Sequence, residues 1–326
     1  MKRYNINIVM IKFIKYLLET IATDCKLYKI LSADEYKSRR LEGEIIRNTH
    51  SIEKGLSLES VRMGFGYKKI QEAFQQIDCY VQNGGNVNAT PVRMFTDAVN
   101  AYLLFHKQHS YSDSHIVEIE KKNASLYDRM SARDCNYGGY KEITRKNFTE
   151  AEQNVIKKLF FSRHSVREFS GTPVNDEKLQ QAIEMACQCP SACNRQCYRV
   201  YIVEHKDFNK LKGWMDGVGG FADELDKILI ITGNLSVYRK GERYQFAVTG
   251  SVFASYLTLA LETMNIGCCF MQRPIFPNKK WTELAKGLMI PGDEQVVCAL
   301  GIGNLKARYK VPVSYRFPEA TIATRI

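Results

Sequence analysis

The second half of the chain alternates between strand and helix patterns, and this alternation restricts the fold more than any other feature. Short runs rich in β-branched and aromatic residues predict four strands, at 198–203, 228–232, 268–271 and 296–302. An amphipathic helix pattern that follows Pro173 and the capping residue Asn175 predicts a helix over 176–187. Further helices are expected near 206–215, 244–264 and 279–288. Residues 151–326 are therefore expected to combine a sheet with several helices.

Residues 1–150 have a different pattern, which is mainly helical. Glycine-containing runs at 64–66, 82–91 and 134–140 interrupt it, and no run in this half predicts a strand convincingly. The pattern changes near 144–150. We therefore expect a mainly helical N-terminal region, 1–150, followed by a second domain, 151–326.

Two apolar segments bear on membrane contact. Residues 1–23 begin with basic side chains and place their apolar side chains roughly on one helical face, while Lys12 and Lys15 interrupt any signal-peptide core. One interpretation is an amphipathic helix that docks on the protein or on a partner subunit. The alternative is an interfacial membrane helix. The uncharged stretch 244–261 is diluted by polar residues, which favours a buried helix over a membrane span.

Charge and cysteine usage exclude several classes of protein. The net charge of +11 is spread over both halves, whereas a nucleic-acid binder usually concentrates it, so we expect anionic small molecules and no nucleic acid as partners. Ten cysteines without a secretory signal indicate a reducing compartment and a cytoplasmic protein. Four of them lie in CQCPSACNRQC, 187–197, at a spacing that matches neither a zinc ribbon nor a ferredoxin. We expect no metal there and interpret these cysteines as small apolar side chains.

Two short sequence motifs, called boxes below, contain side chains that suit ligand binding. SRHSVREF, 162–169, gathers two arginines, a histidine and a serine in a turn, and guanidinium forks suit a phosphate. PSACNRQ, 190–196, places small and amide side chains after a helix end, where they offer donors and acceptors to a planar heterocycle. Two further clusters follow, NIGCCFMQR at 265–273 and an extended C-terminal tail that carries Arg316.

Together and in this order, the four clusters resemble the nitroreductase family of FMN-dependent enzymes over roughly 155–320. The boxes RHSVREF at 163–169 and PSACNRQ at 190–196 are the more specific matches, while NIGCCF and SYRFP are permissive. The resemblance implies an α+β protein with a three-layer α/β/α fold and a mixed sheet, preceded here by the mainly helical region. It also implies a homodimer with FMN at the subunit interface.

The roles implied by the resemblance fall into three groups. The arginine box, RHSVREF at 163–169, would hold the FMN phosphate and ribityl chain, and the C-terminal tail would contribute to the same site. The PSACNRQ box of the partner subunit would contact the isoalloxazine ring, and backbone N–H groups after the third strand would approach flavin N5. The implied cofactor-binding residues are Arg163, His164, Ser165, Arg167, Pro190, Ser191, Asn194, Gln196, Met271, Gln272, Arg273, Ser314 and Arg316. The flavin carries the redox chemistry, so no protein side chain is expected to be catalytic.

The run THSIEKGLSLESVRMGFG, 49–66, resembles an H-x-I-E-K-G-L element found in front of some nitroreductase-like proteins, including ones associated with polysaccharide biosynthesis. One interpretation places His50, Glu53 and Lys54 in a substrate pocket over the flavin. The other makes Glu53 and Lys54 a solvated helix end and His50 a structural histidine.

The resemblance implies an oxidoreductase that transfers a hydride in ping-pong fashion from NADH or NADPH, through flavin N5, to a small conjugated acceptor. Two alternatives stay open. One is a flavin-dependent dehydrogenase that oxidises a bound substrate, and the other is a degenerate flavin-binding scaffold at a membrane surface. The chain departs from the family at Arg273, where a glycine is common, and at Ser314, where a basic residue is common.

Overall fold

The computed structural model describes residues 6–131, 136–211, 220–271 and 279–326, with only the backbone described for 6–9 and 279–282. The helices are α1 (Ile6–Ser32), α2 (Lys37–Leu56), α3 (Tyr67–Gln82), α4 (Thr90–Gln108), α5 (Ser114–Asp128), α6 (Glu150–Ser162), α7 (Asp176–Ala186), α8 (Gln245–Thr263), α9 (Lys279–Gly287) and α10 (Glu319–Ile322). The strands are β1 (Tyr198–Glu204), β2 (Lys227–Asn234), β3 (Ile266–Met271) and β4 (Glu294–Asn304).

The four strands form one sheet in the order β1-β2-β4-β3. Every pairing between them is antiparallel, and a parallel contact occurs as an isolated bridge between Ser165 and Cys268. β2 is buried along its whole length and β4 along nearly all of it, as expected for central strands made of aliphatic residues. β1 and β3 are left at the two edges of the sheet.

Apolar side chains of the central strands alternate between two cores. Leu229 and Ile231 of β2 belong to a cluster with α7 and α8, while Ile228 and Ile230 belong to a cluster on the opposite face. The second cluster includes Leu284 of α9. This alternation follows from the two-residue period of a strand. The result is a helix–sheet–helix arrangement, so the expected α+β, three-layer α/β/α fold is confirmed. The four described strands form an antiparallel sheet instead of the expected mixed one.

Helix capping explains where the two helices before the sheet begin. The Thr149 hydroxyl accepts from the Glu152 N–H, and the Glu152 carboxylate accepts from the Thr149 N–H at 2.7 Å, which is a complete capping box. The Asn175 side chain accepts from the N–H of Lys178 at 2.9 Å. The predicted start of the helix at 176 is therefore confirmed with its cap.

One described helix, α8, has the length and composition of a membrane span, and half of its most apolar window is buried inside the protein. It packs against α7 and contacts all four strands of the sheet. Phe253, Ala254 and Leu257 are fully or almost fully buried on its inner side. The structure therefore shows α8 as a core helix, in agreement with the interpretation of the sequence.

In the described residues of the first half, 6–131 and 136–150, the regular secondary structure is helical, and turns and an irregular segment at 136–149 complete it. Helices α2, α3, α4 and α5 pack around a core of their own that includes Ile45, Phe95 and Tyr102. By contrast, Leu27 and Leu31 at the end of α1 join the core on the α7/α8 face of the sheet. The division of the chain at residue 150 stays a prediction.

Among the described residues, the three shortest ion pairs between the helical half and the sheet half fasten the two together. Asp24 of α1 accepts from two nitrogens of Arg243, both at 3.0 Å. Arg39 of α2 lies 2.9 Å from the fully buried carboxylate of Asp293. In the third pair, Glu44 of α2 accepts from Arg239 Nε at 2.7 Å.

Candidate functional site

The arginine box lies along the open edge of β3. Ser165 forms its parallel bridge with Cys268, and the Val166 N–H donates to the Cys268 carbonyl at 2.9 Å. The side chain of Val166 is buried, which fixes the box against the protein. Since β3 is an edge strand, its outer side is free to accept this segment.

The positive charges of the arginine box affect two cysteines of β3. Burial raises the pKa of the Cys268 thiol to about 12, and the positive charge of Arg163 opposes that rise. Burial likewise raises the pKa of Cys269, and the charge of Arg167 opposes it. The charges of Arg163 and Arg167 thus act on two consecutive residues of β3.

Both arginines are available to an anion. Arg163 is half-buried, whereas Arg167 is exposed, with its guanidinium 5.8 Å from the centre of the Phe221 ring. The Arg167 guanidinium donates to the Ser165 carbonyl at 3.3 Å, and among the residues that the structure describes neither arginine forms an ion pair with a carboxylate. His164 is half-buried, and its Nδ1 lies 2.5 Å from the Ser162 carbonyl oxygen. Two cations without an acidic partner suit a phosphate group.

The PSACNRQ box is a compact turn at the start of β1. The Ser191 hydroxyl accepts from the Gln196 N–H at 3.1 Å, and the Gln196 side chain donates to the Asn194 side-chain oxygen at 3.2 Å. Pro190 and Gln196 are exposed, while Ser191 and Asn194 are half-buried. The amide and hydroxyl groups are therefore held in place and still accessible.

The backbone of this turn is unusual. Cys193, Asn194 and Gln196 have φ values of 52°, 56° and 42°, in the left-handed region that non-glycine residues seldom adopt. Asparagine tolerates this conformation, whereas cysteine and glutamine have no such preference. Residues held in strained conformations cluster at functional sites, which supports a binding role for the turn.

Arg195 holds the turn to the protein, although it is not among the residues that the resemblance implies. Its side chain is fully buried and pairs with Glu242 through two bonds, of 2.8 and 2.6 Å. It also donates to the Ala192 and Val237 carbonyls, and its guanidinium lies 4.3 Å from the centre of the Tyr238 ring. Arg195 resembles any surface cation in the sequence, so burial alone distinguishes it.

The two boxes lie at diagonally opposite corners of the sheet. The first box meets β3 at Cys268, which is level with Ile302 of β4, Lys227 of β2 and Glu204 of β1. The second box enters β1 at Tyr198, the other end of that strand. Three strand spacings separate the boxes by about 14 Å across the sheet, and they lie about 20 Å apart along it. Within one chain they are not brought together.

The remaining residues that the resemblance implies are placed as follows. Met271 ends β3, is buried and pairs with Ala299, close to the arginine box. Gln272 and Arg273 lie outside the described residues. Ser314, with φ of 41°, and Arg316 lie in the exposed tail, where the Arg316 guanidinium donates to the Ser314 carbonyl at 2.6 Å.

Helix α2 links the H-x-I-E-K-G-L run to the PSACNRQ box, because it contacts the 3₁₀ turn Ala192–Asn194. On this helix His50 Nδ1 lies 3.3 Å from Glu53 Oε2, and the other Glu53 oxygen accepts from the Gly139 N–H at 3.3 Å. Lys54 is exposed. These contacts give Glu53 a structural partner, and a role for the three residues over a flavin stays a prediction.

The four cysteines of the stretch 187–197 differ in exposure. Cys187 is exposed, Cys193 is half-buried, and Cys189 and Cys197 are buried. Burial raises the pKa of Cys197 to about 11. Among the described residues, no group of three or more histidine, cysteine or acidic side chains is arranged to hold a metal ion.

Comparison with known proteins points to one family. Residues 161–213 match the model of the nitroreductase family. This segment is nitroreductase-like. It contains both specific boxes, so the resemblance inferred from them is confirmed, while the two clusters at 265–270 and 314–318 lie beyond it. No curated protein matches the chain.

Several solved structures are similar to about half of the chain. A nitroreductase family protein from Streptococcus pneumoniae is 17% identical, with 52% of this chain and 100% of that chain covered and a TM-score of 0.43. A nitroreductase-like family protein from Bacillus cereus is 16% identical, with 56% and 99% covered and a TM-score of 0.44. An FMN-dependent nitroreductase from Clostridium difficile is 20% identical, with 48% and 92% covered and a TM-score of 0.41. The assignment of residues 161–213 rests on the family match and not on these structures.

Proposed function

We propose that the protein is an FMN-dependent oxidoreductase that accepts a hydride from NADH or NADPH and passes it to a small conjugated acceptor. The observation that carries this proposal is the pair Arg163 and Arg167, which belong to the segment bonded to the edge of β3 inside the nitroreductase-like residues and form no ion pair with a carboxylate among the described residues. FMN, when bound, supplies the hydride-transfer chemistry. The protein would position the cofactor and provide its electrostatic environment.

The phosphate end of the cofactor would be held by the arginine box. Arg163 and Arg167 provide two guanidinium groups, and the half-buried Ser165 provides a hydroxyl. A phosphate dianion near two cations and the edge of a sheet forms charge-assisted hydrogen bonds that are roughly twice as strong as neutral ones. The exposed Arg316 of the tail would add a third cation.

The ring end would be held by a second copy of the chain. The PSACNRQ box is too far from the arginine box within one protomer, so a homodimer would join the box of one subunit to the arginines of the other. Exposed apolar side chains support such an interface. Phe160 and Phe161 of α6 are 61% and 82% exposed, and Val313, Tyr315 and Phe317 of the tail are 91%, 81% and 73% exposed.

We place this chemistry in the cytoplasm, because the nine cysteines that the structure describes are free thiols. The H-x-I-E-K-G-L run supports an acceptor connected with polysaccharide biosynthesis. Its helix, α2, contacts the turn Ala192–Asn194, so the helical half would form part of the wall of the acceptor site.

The first experiment identifies the cofactor and the donor. Purified protein is expected to be yellow, to release FMN on denaturation, and to lose its colour when mixed anaerobically with NADH or NADPH. A colourless protein that cannot be reconstituted with FMN would overturn the proposal. Bound FMN that neither nucleotide reduces would instead favour the dehydrogenase or the scaffold.

A second experiment tests the shared site by complementation. Arg163→Ala and Asn194→Ala homodimers are each expected to bind FMN weakly, since every site lacks one of the two boxes. A heterodimer of the two variants, isolated with two different affinity tags, would contain one site with both boxes intact. Recovery of about one FMN per heterodimer supports the shared site. No recovery would show that both boxes act within one chain.

A further inference from the structure

The first two-thirds of α1 project from the protein. Residues 10–22 are all exposed, whereas Thr23, Leu27 and Leu31 further along the same helix are buried. The buried part is anchored by the pair between Asp24 and Arg243. α1 is a continuous helix of 27 residues, so its anchored end holds the projecting part in a fixed direction, for a length of about 25 Å at 1.5 Å per residue.

The projecting segment has a broad apolar face. Its exposed apolar side chains include Met10, Ile11, Phe13, Ile14, Leu17, Leu18 and Ile21, each between 45% and 66% exposed. At 100° per residue they occupy an arc of roughly 160°. Monomeric proteins rarely leave a contiguous apolar surface of this kind in water, so it marks an interaction site.

The opposite face of the segment is charged. Lys12, Lys15 and Glu19 share the remaining arc, and Lys15 lies 4.0 Å from Glu19. Lys26 and Lys29 are exposed one and two turns further on, and the whole chain carries a net charge of +11. Basic side chains flanking an apolar helical face fit an interface of apolar chains below anionic headgroups.

A second copy of the helix fits this surface less well. Met10, Ile14, Leu17 and Ile21 follow the 4-3-4 spacing of a coiled-coil seam, but Ile11, Phe13 and Leu18 occupy the flanking positions, which coiled coils usually fill with charged residues. The apolar arc is therefore wider than a two-helix seam. A lipid bilayer can cover the full width of this apolar arc.

We propose that residues 10–22 of α1 dock the protein on a membrane surface that carries anionic lipid headgroups. The helix lies in the plane of the interface with Ile14 and Leu17 at the centre of the inserted face and Lys12 and Lys15 near the headgroups. This inference is independent of the flavin chemistry, because binding to vesicles requires no cofactor.

Vesicle flotation of the full chain tests the proposal. The protein is expected to float with vesicles of phosphatidylcholine and phosphatidylserine and to float weakly with phosphatidylcholine alone. Ile14→Glu/Leu17→Glu is expected to weaken partitioning by about a hundredfold, roughly tenfold for each apolar side chain removed from the bilayer. Gln82→Glu/Gln108→Glu adds the same charge at exposed positions of α3 and α4 and is expected to float like the wild type.

Lys12→Ala/Lys15→Ala provides a second readout. About fivefold weaker binding is expected for each lysine, and only with the anionic vesicles. Wild-type protein that stays unbound with both vesicle types overturns the proposal, and so does an Ile14→Glu/Leu17→Glu variant that floats as well as the wild type. If that variant instead halves the molar mass measured by light scattering, and the wild type binds no vesicles, the surface belongs to a second copy.

Discussion

The buried Arg195 and the half-buried Glu242 form a two-point ion pair, with N–O distances of 2.8 and 2.6 Å, that ties the PSACNRQ turn to the loop before α8. Glu242 also accepts from the N–H of Arg239, and the Arg239 side chain pairs with Glu44 of α2. A chain of charges thus runs from the turn to the helical half. The shape of the turn depends on contacts outside the nitroreductase-like segment.

Glu242→Gln is expected to destabilise the protein because it leaves the Arg195 guanidinium buried without a counter-charge. Leaving a buried charge unpaired costs about 3 kcal/mol, and the partial exposure of Glu242 together with the remaining amide contact reduces the expected cost to about 1–2 kcal/mol. Urea denaturation followed by circular dichroism measures the free energy of unfolding. Glu142→Gln, at an exposed position, is the control, and equal stability of the two variants would contradict a stabilising role for the pair.

Glu44 is expected to make stability depend on pH in the acid range. Burial would raise the pKa of its carboxyl, but hydrogen bonds from Arg239 and Arg47 outweigh burial and lower the pKa from 4.5 to about 2. Because the folded-state pKa lies below the unfolded value, the stabilisation is complete above about pH 4.5 and is lost as the pH falls towards 2. Glu44→Gln should therefore cost about 2–3 kcal/mol at pH 7 and little at pH 2, as measured by urea denaturation at both pH values. A pH-independent difference would contradict this origin.

Gly43→Ala is expected to push α2 away from the sheet half. A Cβ at this position would lie 2.4 Å from the Val237 carbonyl oxygen, which is a backbone atom that also accepts from Arg195. Overpacking of this kind costs about 1–3 kcal/mol. The matched control is Gly241→Ala, where a Cβ meets nothing within 4 Å. Thermal melting compares the two variants, and only Gly43→Ala should melt at a lower temperature than the wild type.

Arg163→Ala is expected to weaken FMN retention by roughly ten- to a hundredfold, because a charge-assisted hydrogen bond contributes about 1.5–3 kcal/mol. Titration of apoprotein with FMN, followed by the quenching of flavin fluorescence, measures the dissociation constant. Arg145→Ala removes an exposed arginine outside the box and should leave it unchanged. Equal FMN affinities for the two variants would show that Arg163 does not contribute to FMN binding.

The thiol of Cys197 is expected to resist alkylation in the folded protein. Burial raises its pKa to about 11, so at pH 8 about one molecule in a thousand carries the thiolate. Cys25 is exposed and should react readily. Mass spectrometry of peptides after treatment with iodoacetamide, with and without denaturant, compares the two. Rapid labelling of Cys197 in the native protein would show that β1 opens at its start.

The sequence predicted the sheet of the second half closely, because buried β-branched runs bounded by polar residues leave few alternatives. All four strands were predicted within two residues of their observed ends, for example 296–302 against Glu294–Asn304. The segment 206–215 was expected to be a helix, and its described part is a 3₁₀ helix, His205–Leu211. The antiparallel order β1-β2-β4-β3 was not predicted, because strand pairing depends on contacts between distant residues.

The site was predicted in its residue types and not in its arrangement. Arginine and amide side chains reveal the chemistry of a box, so Arg163 and Asn194 could be selected from the sequence. That their boxes occupy opposite corners of the sheet depends on register, and the burial of Arg195 depends on Glu242, which lies 47 residues away. Such long-range relationships leave no local pattern.

The bridge between Ser165 and Cys268 has a further consequence for β3. An uncovered edge strand presents unpaired N–H and C=O groups that another chain can extend, which leads to aggregation. The arginine box occupies part of this edge, and its cations discourage a second strand from approaching. The segment that we expect to hold the cofactor thus also shields the sheet from strand addition, and a protein whose box detaches would lose its ligand and its colloidal stability together.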